Sequence, residues 1–417
     1  MADPFETHWD NAVQRAEFLA LWGKRAWVSG HSWQQLEQML LANVLALSEL
    51  EPAHQAPEPD SRETAFVYWL SRCFGEAGED LMSELIPALT ADGPTAEGAA
   101  AALTACPPTD DDAIKGQAAW DNPYARQAFL TAASGAPDSL SDALLNTALE
   151  SADRQTRAAA LSVAARDPQR DPSFFRTWYG INSGEPDVCV QCQAVFGGLI
   201  RNDAQAEAAL PTLLERAETD DDVYKVLQLI ALRGLSSQHN ALARYAEREP
   251  QRGTALIAVD GNPGWLDTLH SLMEYPATAD GAAQAWWRMT GVSIPRVPRL
   301  SSVDQGTSAG QGELPDAEWA RGWLDTHGKS LNNTDRLLFG RALDKRALAG
   351  ACRHWAGQGS RSLVWQMQLA AGTGTALHAD QWLSQRQQRL EQAGLRDDAV
   401  VPPEAATADD WEHGHYA

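Results

Sequence analysis

Short alanine-rich segments recur along the middle of this chain, and they constrain its fold more than any other feature. Five segments can be superposed so that their last apolar residues fall at positions 103, 130, 161, 195 and 229. The steps between these positions are 27, 31, 34 and 34 residues. Small residues that recur at such periods let neighbouring helices approach closely, which is typical of helical solenoids.

The residues ahead of these segments are of the types that start helices. They are Pro94, Asn122, Asp153, Asp187 and the acidic run at 220–222. No stretch of the sequence alternates apolar and polar residues for long enough to indicate a sheet. The sequence therefore predicts an all-α fold.

The sequence pattern divides the chain into five segments. We expect an N-terminal helical segment at 1–91, helical repeats at 92–295, a flexible linker rich in Ser, Gly and Gln at 296–316, a C-terminal helical block at 317–396, and an acidic disordered tail at 397–417.

The N-terminal segment shows two helix starts. Ser32 stands three residues before Gln35 in a capping-box pattern, which predicts a helix beginning near Trp33. Apolar residues then recur at steps of three and four as far as Leu47, so this helix has one buried stripe. A second helix is expected to begin near Arg62.

The C-terminal block and the end of the repeats supply further candidates for the core. Adjacent residues on a helix point about 100° apart, so Trp286 and Trp287 cannot both face one core. One of them is therefore expected either at a partner interface or, as the favoured alternative, packed against the C-terminal block. The core candidates of that block are Leu337, Phe339, Leu343, Leu348, Trp355, Leu363, Trp365 and Leu369.

The charge of the chain is strongly acidic and unevenly distributed. The formal net charge is −23, which disfavours a general role in binding nucleic acid. Residues 1–100 hold 16 acidic and 5 basic residues, whereas 317–396 hold 6 acidic and 11 basic residues. We expect a basic outward face there that docks on the acidic N-terminal helices or, alternatively, binds an acidic partner. Its candidate residues are Arg341, Lys345, Arg346, Arg353 and Arg361.

The cysteine content and the N-terminus indicate a cytoplasmic protein. Five cysteines are an odd and low number for 417 residues, so a disulfide framework is not expected. The N-terminal residues lack the basic and apolar regions of a signal peptide, and no apolar run approaches the length of a membrane span. The cysteines are Cys73, Cys106, Cys189, Cys192 and Cys352.

Several short motifs resemble functional sites, yet each has a structural interpretation that we favour. Cys189 and Cys192 form a C-x-x-C pair, but a redox site would need a strand–helix–strand context and a zinc site would need a second pair of ligands. The G-T-S-A-G at 306–310 falls in the linker rather than on a strand-to-helix turn. The G-K-S at 328–330 lacks the first glycine of a phosphate loop. The triple aspartates at 110–112 and 220–222 suit helix starts better than a calcium loop.

Two parts of the sequence carry a resemblance to a known family of proteins. The first comprises G-N-P-G-W-L-D-T-L-H-S-L-M-E at 261–274 and A-A-Q-A-W-W-R-M-T-G at 282–291. The second comprises K-R-A-L-A-G at 345–350 and G-Q-G-S-R-S-L-V-W-Q-M-Q-L-A at 357–370, and the region 31–50 is similar as well. These runs resemble a proteobacterial family of HEAT-like repeat proteins, whose members are often encoded beside type VI secretion genes. The resemblance implies a HEAT-like α-solenoid and a role linked to secretion, and it supplies no catalytic residues.

Together these observations predict a non-enzymatic, protein-binding scaffold with no catalytic, cofactor-binding or metal-binding residues and no nucleic-acid or membrane partner. Its expected partner is a secreted effector or toxin, which the chain would serve as an adaptor or chaperone, or hold inactive as an immunity protein. The alternative is an enzyme on a HEAT-like scaffold, such as a DNA glycosylase or a lyase. A glycosylase needs a basic concave face, whereas residues 101–316 hold 28 acidic and 17 basic residues.

Overall fold

The protein is almost wholly helical in the part that the structure describes. The computed structural model describes residues 3–50, 57–75, 81–91, 93–106, 120, 122–135, 140–180, 183–298, 313–331, 334–374 and 377–395. Its strands within these ranges are short and form three antiparallel pairs. None of the helices found in these ranges is both long and apolar enough to cross a membrane. The predicted all-α class is confirmed, and the solenoid arrangement remains a prediction.

The described chain forms two compact units, one of residues 1–213 with 352–396 and one within 214–351. The boundaries of these units, at 213/214 and 351/352, differ from those expected from the sequence pattern. The helices of the first unit are α1 (Pro4–Gly23), α2 (Gly30–Leu50), α3 (Arg62–Phe74), α4 (Leu81–Thr90), α5 (Pro94–Ala105), α6 (Pro123–Ala133), α7 (Asp142–Leu149), α8 (Arg154–Arg166), α9 (Pro172–Tyr179), α10 (Val188–Ile200) and α11 (Ala204–Arg216), whose last turn lies beyond the boundary.

The first unit also contains the returning C-terminal part of the chain. Strand β1 (Val28–Ser29) pairs antiparallel with a second strand at Trp355–Ala356, here β6. Two helices follow that strand, Ser360–Ala371 and Leu383–Gln392, which are α19 and α20 in chain order. Gly30 lies against this return, because an added Cβ would stand 2.5 Å from the carbonyl oxygen of Arg353.

The alanine-rich helices of the first unit pack in series. Helix α5 contacts α6, α6 contacts α8, and α8 contacts α10. All five predicted segments lie in helices, and their last apolar residues are all buried. The predicted helix starts are also correct, since Asn122, Asp153 and Asp187 are N-caps whose side chains accept backbone N–H groups.

The second unit combines helices with two small hairpins. Its helices after α11 are α12 (Asp220–Arg233), α13 (His239–Arg248), α14 (Pro250–Asp260), α15 (Leu266–Met273), α16 (Ala279–Thr290), α17 (Ala317–Leu331) and α18 (Lys345–His354), the last of which crosses into the first unit. Its strands are β2 (Arg296–Pro298), β3 (Glu313–Pro315), β4 (Leu337–Leu338) and β5 (Arg341–Ala342).

Buried or half-buried arginines satisfy the carbonyl groups at helix C-termini in both units. Arg201 donates to the carbonyl oxygens of Ala165 and Gly197 at 3.0 and 2.9 Å. In the second unit, Arg336 donates to the carbonyl oxygens of Ala231 and Val259 at 2.8 and 2.9 Å. The last carbonyls of a helix have no partner within the helix, so each guanidinium fastens the ends of neighbouring helices together.

Three local predictions differ from the structure. Helix α2 begins at Gly30, so Ser32 lies inside it and is not its cap. The predicted linker is paired at both ends as β2 and β3, and its middle, 299–312, lies outside the described residues. The predicted helical block is interrupted by the β4–β5 hairpin, whose turn residues Phe339 and Gly340 both have positive φ. Two such residues suit a tight hairpin turn.

The tryptophan pair follows the favoured alternative. Trp286 and Trp287 are both buried, and each has an aromatic neighbour from the segment predicted as the C-terminal block. Trp286 meets Trp323 edge to face with ring centroids 5.4 Å apart, and Trp287 meets Phe339 at 4.9 Å. The two indoles therefore contact different aromatic neighbours from two faces of one helix.

Candidate functional site

A cavity of about 780 Å³ lies within the first unit, among helices α1 to α6 and the chain around α20. Clefts of about 300–1,000 Å³ are the usual size for binding small molecules. The cavity extends from Tyr124, which is 65% exposed, to Glu37, which is 4% exposed. Its apolar wall includes Leu19, Phe66, Leu89, Ala100, Ala101 and Ala128.

Glu37 is a buried carboxyl group held in place by three hydrogen bonds. Helix α2 places it one turn after Trp33, whose indole N–H donates to Glu37 Oε1 at 2.7 Å. The backbone N–H of Leu383 donates to Oε1 at 2.9 Å and to Oε2 at 3.1 Å. Burial raises the pKa of Glu37, although these hydrogen bonds and the charge of Arg386 favour the ionised form.

Arg386 is the second buried charged residue of the cavity. It is 3% exposed, and its Nε and Nη1 have no hydrogen-bond partner within the described part of the protein. Burial lowers the pKa of Arg386, while the nearby Cys352, Glu37 and Asp380 act in the opposite direction. A buried guanidinium with unpaired N–H groups is rare, because such groups lose their hydrogen bonds to water.

The segment that carries Arg386 is anchored along the C-terminal ends of the alanine-rich helices. The Gln381 side chain donates to the carbonyl oxygen of Gly135 at 3.0 Å, and Gln385 donates to that of Ala105 at 3.3 Å. Arg166, at the end of α8, donates to the carbonyl oxygen of Leu377 at 3.0 Å. Burial lowers the pKa of Arg166 to about 10, so it stays charged at neutral pH.

The remaining charges around the cavity are more exposed and are paired. Arg62 lies 3.5 Å from Glu63 and 3.9 Å from Glu97, and Arg361 donates to Asp380 at 2.7 Å. Exposed pairs of this kind contribute little to stability. Among the described charged residues that line the cavity, Arg386 therefore stands out, because its Nε and Nη1 are buried without a hydrogen-bond partner.

A second polar cluster in the first unit is fully engaged. Arg176 donates to both oxygens of Asp203 at 2.9 Å, and the Tyr179 hydroxyl donates to Oδ2 at 2.5 Å. Arg176 is the main reason that the pKa of Asp203 falls to about 2. These bonds join α9 to the turn before α11, so we interpret the cluster as structural.

The structure places the motifs considered in the sequence as follows. Cys189 and Cys192 lie in the first turns of α10 and are not joined by a disulfide. The G-K-S at 328–330 is at the helical end of α17, where no phosphate loop is formed. Asp220 to Asp222 occupy the first turn of α12 behind the N-cap Thr219. The sequence at 306–310, the triplet at 110–112 and the tail at 397–417 lie outside the described residues.

The predicted basic face is only partly correct. Arg341, Lys345, Arg346 and Arg361 are exposed, but Arg353 is 7% exposed and donates to the carbonyl oxygen of Leu395. Burial of Arg353 removes it from any outward face. The described residues 352–395 do pack with the N-terminal helices, and the β1–β6 pair and the bonds from Leu383 to Glu37 are part of that packing.

Sequence reasoning missed both Glu37 and Arg386, although each leaves a signal. Glu37 lies on the same apolar stripe as Leu36 and Leu40, and Arg386 lies between Leu383 and Leu390 at helical spacing. A charged residue on a stripe of buried residues is unusual, because burying an unpaired charge is costly. Both residues could have been singled out on this ground.

Comparisons with protein-family models, with curated proteins and with solved structures found no match. Within the described ranges, no group of three or more His, Cys, Asp or Glu side chains is placed to hold a metal ion. The chemistry of the cavity is therefore inferred from its own side chains.

Proposed function

We propose that this protein is a binding scaffold that holds a segment of a protein partner in the cavity of its first unit. The observation that carries the proposal is the cavity itself, with a wall of small and apolar side chains and a buried polar end at Glu37 and Arg386. Apolar walls with a few fixed polar groups are the common form of binding sites.

The series of alanine-rich helices supports a repeat-type scaffold in the first unit. Solenoids of stacked helices present long surfaces to partners, and their function is usually to bind. By resemblance to HEAT-like proteins encoded beside type VI secretion genes, the partner is a secreted effector or toxin. An adaptor or chaperone for an effector is our first choice, and an immunity protein is the second. The acidic charge of −23 suits either role, because it would attract a basic effector.

Glu37 favours a second candidate, an enzyme on the same scaffold. A carboxyl group in a cavity, with a pKa raised by burial, resembles a general acid or base. Against this, both oxygens already accept hydrogen bonds from the protein, which fixes Glu37 for structure. An enzyme that uses Glu37 would lose its turnover in Glu37→Gln, whereas a scaffold would keep its partner.

Filling the cavity should abolish capture of the partner. Ala101 lines the wall, so Ala101→Trp would occupy the space that the partner segment needs. We expect recovery of the partner from the native host to fall at least about tenfold, as for loss of a buried interface anchor. The measurement is affinity capture followed by quantitative mass spectrometry.

A matched control is available on α11 of the same unit. Ala208 is exposed and does not line the cavity, so Ala208→Trp should capture the partner as the unchanged protein does. Equal capture by Ala101→Trp and Ala208→Trp, with both variants folded, would place the partner elsewhere on the surface.

A further inference from the structure

The buried end of the cavity holds a guanidinium, that of Arg386, of which two nitrogens have no hydrogen-bond partner among the described residues. Arg386 is 3% exposed and lines the cavity, and its Nε and Nη1 lack partners among the described side chains and backbone. At a protein surface, the N–H groups of a guanidinium donate to water. In a buried site they need an acceptor from the protein or from a ligand. A ligand that supplies oxygen atoms at this point would remove the deficit.

The neighbouring acids are already committed. Glu37 uses both oxygens to accept from Trp33 and Leu383, and Asp380 accepts from Arg361. Glu37 acts on Arg386 through its charge, but the structure places no hydrogen bond between them. The unpaired N–H groups of Arg386 can therefore donate to a ligand that enters the cavity.

The surroundings restrict the charge and shape of that group. A doubly charged phosphate beside Glu37 would meet a like charge, while a single carboxylate matches the planar guanidinium with less repulsion. The lining of the same cavity is in large part apolar, with Leu19, Phe66 and Leu89 among its residues. The matching ligand thus has one carboxylate and an apolar stem.

We propose that this cavity binds a carboxylate carried on an apolar stem, with Arg386 as its charge partner. A free apolar carboxylic acid and an acidic residue flanked by apolar residues in a protein segment share this chemistry. The protein segment as a source rests on the proposed function. Its acidic residue would be the group that anchors the partner segment in the cavity.

The test compares ligands that differ only in the carboxylate. Octanoate and 1-octanol are titrated into the full chain by calorimetry, and so are a short leucine-rich peptide amide with one glutamate and its glutamine counterpart. A charge-assisted hydrogen bond in a buried site should make the carboxylate member of one pair bind at least about tenfold more tightly. Preference in the octanoate pair identifies a free acid as a source, and preference in the peptide pair identifies a protein segment.

Variants on α20 connect any preference to Arg386. Arg386→Gln should remove it, and Arg386→Lys, which keeps the charge, should retain part of it. Arg389→Gln is the control, because Arg389 is exposed on the same helix and does not line the cavity. If neither pair shows a preference in the unchanged protein, or if a preference survives in folded Arg386→Gln, the inference is wrong.

These outcomes are separable from those of the capture experiment. The titrations use the isolated protein, so they need no partner. A carboxylate preference without loss of capture in Ala101→Trp would support the anion site and overturn the proposed scaffold role of the cavity. Loss of capture in Ala101→Trp without a carboxylate preference would support the scaffold role of the cavity and overturn the anion site.

Discussion

Replacing Glu37 by leucine should lower the free energy of unfolding by about 3–5 kcal/mol, the scale for removing one partner from a buried charged network. The leucine would leave two buried donors, the Trp33 indole N–H and the Leu383 backbone N–H, without their acceptor. It would also remove one of the negative charges that oppose the effect of burial on Arg386. Urea denaturation followed by circular dichroism measures the change.

Two further variants test whether the lost stability comes from the buried hydrogen bonds of Glu37. Glu49→Leu, on the exposed side of the same helix, should change stability by less than about 0.5 kcal/mol. Glu37→Gln should be milder than Glu37→Leu, because its carbonyl oxygen can still accept from Trp33 and Leu383. Equal stability of Glu37→Leu and Glu49→Leu would contradict the role given to Glu37.

The same glutamate gives a pH dependence with a definite sign. Burial raises the pKa of Glu37 above its ordinary value of 4.5, so the folded state binds its proton more tightly than the unfolded state does. The part of the stability that comes from this difference in proton binding is therefore full below pH 4.5 and is lost as pH rises through the raised pKa, whereas the hydrogen bonds to Glu37 remain. The stability of the unchanged protein, measured relative to Glu37→Gln, should fall with pH over this window. A relative stability that rises with pH would contradict the raised pKa.

A second large loss of stability is expected at Gly98, where α5 packs closely against α3. A Cβ added there would lie 2.2 Å from the carbonyl oxygen of Arg62 and 2.8 Å from the backbone nitrogen of Phe66. Neither backbone atom can move without shifting α3, so Gly98→Ala should cost about 2–3 kcal/mol despite the better helix propensity of alanine.

The matched control for Gly98→Ala is a substitution that should stabilise the protein. Gly322 is exposed in helix α17, and a Cβ there meets nothing within 4 Å. Gly322→Ala should therefore raise the melting temperature, by the increment that corresponds to about 0.5–1 kcal/mol. If both substitutions stabilise the protein, the close approach of α3 and α5 is wrong.

The parts of the fold that the sequence predicted are those set by local signals. The alanine-rich helices and the N-caps Asn122, Asp153 and Asp187 depend on residues within a few positions of each other. The β4–β5 hairpin was missed because its turn is Phe339-Gly340 rather than a recognised turn pair, and a bulky residue is uncommon at positive φ. Its position depends on bonds from the turn to the carbonyls of α16, such as that from Phe339 to Arg288.

The candidate site could not be assembled from the sequence, because it joins residues that are far apart along the chain. The bond between Glu37 and Leu383 spans 346 residues, and the strand at Val28–Ser29 finds its partner beyond position 350. Spacing and periodicity report contacts within one helix or between successive helices. They identify Glu37 and Arg386 as unusual on their own stripes, but not as neighbours.

The most direct test of the central claim is site-specific photocrosslinking in the native host. A diazirine amino acid at position 104, where Thr104 lines the cavity, should attach covalently to one partner protein. The same group at position 208, where Ala208 is exposed outside the cavity, should not attach to that protein. Mass spectrometry of the attached peptide should then find an apolar segment with an acidic residue. Attachment of the same protein at both positions, or at position 208 alone, would contradict the account.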